Sequence, residues 1–405
     1  AFATVRDELG RIEILVNNAY TTGEQYNVEV AIDGGGNFVV TWQGEGSGDV
    51  DGIWAKRFDS SGNALDDPFL VNDSVTATTQ EDQAIAMNDS GEFVITWTDS
   101  SPGYERISAQ QYTVAGTGQG EFVVHATSNA SQELLSSVGI DGDGNFVVAW
   151  GEIDADSQGF GIMMQRFDAS GTRLEADDVL VNTYILSDQV DPAVAMRSDG
   201  VFVISWSSKD QDGDAQGIIV QAFNADGSKN GDEQIANTYT TSDQHISQLA
   251  INNNGNIVVA WEGQGASDSY GVFVQKYLIS AAANPGDGEG IAVWSNTTNT
   301  PRAAIWDGSS FLAAEDTATL SDNYRIIQGA DAPTRDEKIV VGIDASGDVT
   351  GQIWDGSSWL PLPIITLGTV SETYWWGADV AYEQQSGNAV VVWNDNSQVA
   401  GDKLN

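Results

Sequence analysis

The sequence predicts an all-β protein: a single β-propeller of eight four-stranded blades, with seven as the alternative. Three observations lead there. First, an apolar run ending in Trp recurs as FVVTW (Phe38–Trp42), FVITW (Phe93–Trp97), FVVAW (Phe146–Trp150), FVISW (Phe202–Trp206) and IVVAW (Ile257–Trp261), with Trp spacings of 55, 53, 56 and 55. Second, a turn rich in Asp, Asn, Ser and Gly precedes each run, and a short strand-like segment precedes each turn, which reads as a hairpin. Third, nine to eleven residues beyond each Trp a third segment follows (GIWAKRF, RISAQQY, GIMMQRF, GIIVQAF, GVFVQKY), and then a fourth such as FLVND or VLVNT. Four short strands per repeat, punctuated by turns, describe a propeller blade.

The third segments decide between a sandwich and a propeller. They carry apolar residues on both sides of the strand: Ile53, Ala55 and Phe58 in one copy, Ile218, Val220 and Phe223 in another. A strand with one wet face would alternate apolar and polar residues. Burial on both faces is what stacking between neighbouring blades requires.

The chain is read as one propeller over residues 1–405, with five long repeats in 11–277 and three shorter units in 278–405. The shorter units carry IWDGSS twice, with Trp306 and Trp354. The step from Trp261 to Trp294 is only 33 residues, so the fifth repeat lacks room for its fourth strand. Segment 11–18, RIEILVNN, aligns with PFLVND and is expected to supply the fourth strand of the last blade, closing the ring and removing open edges. The same strand given to a neighbour would build an oligomer or polymer. The first residues also resemble a segment of short-chain dehydrogenases (ELGRIEILVNNA), but the Gly-rich turn and the Tyr-x-x-x-Lys pair of that family are missing.

Composition narrows function by exclusion. There are 59 Asp and Glu against 16 Lys and Arg, a net charge of −43, which makes nucleic acid a poor partner. With no Cys, disulfides, thiolate metal sites and thiol nucleophiles are excluded. The two His residues, His125 and His245, leave little for a His-based triad. No run of about 18 apolar residues occurs, so no membrane insertion through a helix is expected. The start, AFATVRDELG, lacks an initiator Met and reads as that of a mature or excised piece.

As a consensus the long units read VN-x-T-x(4–6)-Q-x(2)-P-x-V-A, D-G-x-F-V-V-x-W and G-I-x-x-Q-R-F-D-x-x-G. This resembles the repeat arrays of large secreted and cell-surface bacterial proteins of the RTX-adhesin-associated type. The last third is similar to Trp-Asp-Gly repeats of other bacterial and archaeal surface proteins. The resemblance implies an extracellular, cell-surface location. The calcium signature GGxGxD is missing, so a calcium site has to come from other residues.

The acidic loops after the Trp runs supply candidates: Asp49 and Asp51; Asp154 and Asp156; Asp210, Asp212 and Asp214. Alternating carboxylates in a Gly-rich loop suit a hard cation, and DQDGD is similar to the start of a calcium loop, which makes calcium the expected cofactor. The recurrent Asn72, Asn182 and Asn237, with Gln25, Gln80, Gln132, Gln189 and Gln244, are expected to satisfy backbone groups where the chain crosses between blades. The recurrent Trp set is expected in the core. Trp375 and Trp376 fall outside the regular pattern and are the candidates for stacking on a sugar.

The sequence-level expectation is a non-catalytic extracellular module at a bacterial surface, binding other surface proteins or polysaccharide. The alternatives are a carbohydrate-binding, lectin-like propeller, a calcium-dependent hydrolase, and a filament subunit formed by strand exchange.

Overall fold

The computed structural model describes residues 14–17, 25–46, 49–72, 79–101, 103–126, 132–252, 255–265 and 268–278, and strand segments between 289 and 393. Strands and no helices make up the regular structure of these residues, arranged as eight small sheets. No helix among them is long and apolar enough to cross a membrane. Four consecutive antiparallel strands form the first sheet: Gln25–Ile32, Phe38–Gly46, Asp49–Phe58 and Phe69–Leu70. The second, third and fourth units repeat this order, beginning at Gln80, Glu133 and Gln189. The result is a propeller-like repeat of meandering sheets, as the periodicity predicts.

The turns explain why hairpins form. In the first, Asp33 Oδ1 accepts hydrogen bonds from the Gly35 and Asn37 amides at 2.8 Å each. Gly36 follows in the left-handed region, with φ 84°, where a side chain is costly. Asp141 repeats the pattern with Asp143 and Asn145. Across each hairpin mouth, stacked rings join the second and third strands: Phe38 on Phe58, Phe93 on Tyr112, Phe146 on Phe167 and Phe202 on Phe223, at 4.6–4.8 Å between centroids.

The core lies between sheets. Val147, Ala149, Ile162 and Met164 of the third unit pack with Phe202, Ile204, Trp206 and Ile219 of the fourth. Val39, Ile53 and Ala55 of the first unit meet Phe93, Ile95 and Trp97 of the second in the same way. The second, third and fourth sheets thus each offer one face to the unit before and the other to the unit after. Trp97, Trp150 and Trp206 are fully buried, so the repeated Trp is a packing residue.

Two features depart from expectation. Ile14–Asn17 pairs with Ala389–Trp393, the second strand of the last sheet, and the pairing is parallel. A fourth strand, as the alignment with PFLVND implies, would run in that same direction but pair with the third strand instead of the second. The residues expected to form the third strand, 394–405, lie outside the described residues. In addition, the first strand of each long unit bulges, placing Asn27, Asp82, Leu135, Asp191 and Ile246 at φ between 50° and 54°. For Leu135 and Ile246 this is strained backbone held by the surrounding sheet.

The fifth unit has three strands among the described residues, Gln244–Ile251, Asn256–Gly265 and Asp268–Leu278, in line with the short Trp261–Trp294 spacing.

Candidate functional site at the junction of the second and third units

Consecutive units are joined by a recurring three-residue motif. At the end of the fourth strand an Asn accepts a hydrogen bond from the third strand and donates to two neighbours. Asn72 Oδ1 accepts the Ile53 amide at 2.8 Å, while its Nδ2 donates to Asp49 Oδ2 at 2.9 Å and to Gln80 Oε1 of the next unit at 2.8 Å. Asn182 does the same with Ile162, Asp156 and Gln189, at 2.8, 3.0 and 3.0 Å. Asn237 repeats it with Ile218, Asp212 and Gln244, at 2.8, 2.5 and 2.9 Å. The three Asn and the three Gln are buried, so the amide pair satisfies backbone that would otherwise be desolvated and unpaired. The structural role expected for these amides is what the geometry shows.

The junction between the second and third units breaks the motif. His125 stands at the Asn position, directly after Val124, whose amide donates to Ile107 as those of Val71, Val181 and Ala236 do in their units. Glu133 stands at the Gln position: it pairs with Glu152 as Gln189 pairs with Ser208. The expected residue there, Gln132, is displaced by one position and exposed: the step from His125 to Glu133 is eight residues, as from Asn72 to Gln80, against seven at the other two junctions. Glu133 Oε2 accepts the Ile107 amide at 2.8 Å, taking over the acceptor role of Asn, and Oε1 meets His125 Nδ1. Arg106 replaces the Gly found before Ile53, Ile162 and Ile218, and pairs with Asp99 at 2.8 Å.

Two further carboxylates lie beside this pair. Asp178 accepts the Ala126 amide on both oxygens, at 2.9 and 3.0 Å. Glu152 accepts Trp150 Nε1 at 3.2 Å. Arg173 donates to the Val123 and His125 carbonyls at 2.6 Å each, tying the third unit to the chain that carries His125. His125 and Glu133 are buried, whereas Glu152 and Asp178 remain part-exposed.

The electrostatics follow from this placement. Burial pushes the Glu152 carboxyl above the usual range, opposed by the Trp150 hydrogen bond. Burial also raises Asp178, opposed by the Ala126 amide. The Glu133 hydrogen bond raises His125 against the opposing effect of burial. Carboxyls that keep their proton longer than usual, next to a carboxylate neutralised by imidazolium, can divide acid and base roles. A second ionisable pair, His245 Nε2 with Glu262 Oε1 at 3.1 Å, joins the two strands of the fifth unit's first hairpin, and Asp191 of the fourth unit acts on its charge.

The acidic loops are organised around the junction Asn residues. Asp49, Asp156 and Asp212 direct Oδ2 at the junction Asn, and their Oδ1 atoms accept the amides of Asp51, Gln158 and Asp214. Asp51 accepts the Tyr26 hydroxyl at 2.6 Å, Asp210 the Ser187 hydroxyl at 3.1 Å, and Asp214 the Ser242 amide at 3.2 Å. Asp154 turns the chain at φ 58°. Among the described residues no three carboxylate or His groups converge as a metal site. Trp375 and Trp376 lie outside the described residues.

No protein-family model matches the chain, and no curated protein does; the resemblance to secreted repeat arrays therefore stays at the level of the repeat pattern. Solved structures that it is similar to include an endo-arabinase from Bacteroides thetaiotaomicron, at 14% identity and TM-score 0.37, covering 60% of this chain and 90% of that one. A glycosyl hydrolase from Bacteroides ovatus follows at 15% and 0.35, covering 65% and 87%. Prolyl oligopeptidase B from Galerina marginata has 10% identity and TM-score 0.47, covering 96% of this chain and 56% of that one. Several of the similar structures are glycoside hydrolases, and the expectation of a non-catalytic surface module is corrected on that finding.

Proposed function

We propose that the protein is a carbohydrate-active propeller that hydrolyses a glycosidic bond with Glu152 and Asp178 as its acid–base pair. The observation that supports this reading is the replacement of a buried amide pair by His125 and Glu133, with two part-exposed carboxyls set against them. Hydrolysis of a glycoside needs one carboxyl that still holds its proton to protonate the leaving oxygen. It needs a second, ionised carboxylate to take a proton from water or to attack the sugar carbon. Burial raises both carboxyls, and each has one donor that favours ionisation: the indole for Glu152, the Ala126 amide for Asp178. In this reading His125 and Glu133 are positioning residues that hold the two units at one separation. The eight sheets then serve as eight blades of one ring, and the protein acts outside the cell, where polysaccharide is met.

The test is release of reducing ends from a panel of neutral and acidic polysaccharides between pH 4 and 8. Glu152→Gln and Asp178→Asn should each lower kcat by about 10²–10⁴-fold with the melting temperature retained. Absence of hydrolysis across the panel, or full activity in both variants, overturns the reading.

A further inference from the structure

At the junction between the fourth and fifth units, two junctions along from the acid cluster, a small cleft opens to solvent. Trp261 and Phe273 meet there with ring centroids 6.4 Å apart. Tyr239, Gln244, Gln264 and Gln275 contribute the polar lining, and among the described residues no charged side chain lines the cleft. That neutrality stands out in a chain with 59 acidic residues.

The cleft lies at a departure from the repeat among the described residues. In the first, third and fourth units the residue paired with the repeated Trp is itself covered by a fourth strand: Leu70 lies on Trp54, Leu180 on Met163 and Ile235 on Ile219. Phe273 holds the same register, opposite Trp261, and among the described residues no fourth strand pairs with its strand. Its ring is left part-exposed. Gln244 is committed internally: its Nε2 donates to the Thr241, Ser242 and Gln264 carbonyls, and its Oε1 accepts from Asn237. It therefore shapes the wall, and the part-exposed Gln264 amide and Tyr239 ring are the groups set to meet a ligand.

We infer that this cleft is a binding site for a neutral sugar ring, a recognition subsite separate from the Glu152–Asp178 pair. A pyranose presents an apolar face of C–H groups and a rim of hydroxyls. An exposed aromatic ring suits the first, and an amide, with a donor and an acceptor, suits the second. A uronic acid or sulfated sugar would bring its negative charge into a protein of net charge −43, with no cation among the described lining residues to receive it. The subsite shares with the proposed function only its carbohydrate class.

Isothermal titration of the full chain with cellohexaose, xylohexaose and mannohexaose, against hexagalacturonate, tests the assignment. At least one neutral hexamer should bind, and the acidic one should not. Phe273→Ala should weaken binding about tenfold or more, and Phe273→Trp should retain it. Gln264→Ala, further from the core, should weaken binding with the fold intact by circular dichroism. Glu152→Gln should bind as the parent does, which separates this site from the acid pair: loss of hydrolysis with binding retained tests one, and loss of binding in Phe273→Ala and Gln264→Ala tests the other. Failure of all three neutral hexamers to bind, tighter binding of the uronate, or unchanged binding in both cleft variants overturns the subsite.

Discussion

His125 Nδ1 meets the Glu133 carboxylate at the place where Asn72 and Gln80, Asn182 and Gln189, and Asn237 and Gln244 join their units. One junction among four therefore carries charge where the others carry amides, and its strength depends on pH. Glu133 raises the pKa of His125 in the folded state. That stability is fully present below the unfolded value of 6.5 and is lost as pH rises through the higher folded value. Glu152 and Asp178 are also raised, so the folded chain holds their protons after the unfolded chain has released them. Their contribution too declines as pH rises through the carboxylate range. The melting temperature should fall from pH 5 to pH 8. Replacing the pair by the amides of the other junctions, His125→Asn with Glu133→Gln, should flatten the part of that fall between pH 6 and 8. Parallel curves for the two proteins would refute the coupling.

The amide junctions should be strongly load-sensitive despite being neutral. Asn182→Leu leaves the Ile162 amide, Asp156 and Gln189 without their partner in a buried place. Urea unfolding should show a loss of about 2–4 kcal/mol. Asn63→Leu, in an exposed turn where Asn63 bonds only to Asp59 and its own turn, should cost less than about 0.5 kcal/mol. Equal losses at the two positions would remove the junction's claim to a structural role.

The repeated Trp residues differ in what their indole N–H does. The Nε1 atoms of Trp97 and Trp206 are buried without a partner, whereas Trp150 Nε1 donates to Glu152. Trp206→Ala should destabilise by about 3–5 kcal/mol through the cavity that it leaves between the third and fourth sheets. Trp150→Phe should add a chemical effect. With its donor gone, the Glu152 carboxyl rises further, and whichever limb of the rate–pH profile Glu152 sets should move to higher pH. A pH profile unchanged in Trp150→Phe would separate Glu152 from the chemistry.

Gly217 shows how the acidic loops are held. A Cβ there would come within 2.6 Å of the Asp212 carboxyl carbon, in the place where Asp212 reaches Asn237. Gly217→Ala should cost about 1–3 kcal/mol by forcing that loop outward. If thermal unfolding of Gly217→Ala matches the parent, the Asp212–Asn237 link carries no stability.

Much of the fold was legible in the amino-acid string because packing between blades imposes one pattern on every repeat. The Trp positions, the Gly turns and the two-sided third strands predict their places as the structure has them. In the acidic loops the alternation of carboxylates is visible in the string, whereas the partner of each inner Asp, an Asn some 25 residues away, comes into view only when the strands pair. The junction site was hidden for a related reason. Gln132 lies next to Glu133 and matches the repeat by residue type, so sequence alignment selected it over the residue that the sheet register selects. The signal was there in VHA standing for VNT and in Arg106 standing for Gly.

By itself, then, the sequence determined the repeat, the strand order and the buried Trp layer, since these follow from periodic apolar runs that only stacked sheets can bury. The tertiary structure decided which ionisable groups meet. Glu152 and Asp178 lie 27 and 53 positions beyond His125 and carry no shared motif. Only strand register and the crossing between units bring them to one junction, where burial then changes their chemistry.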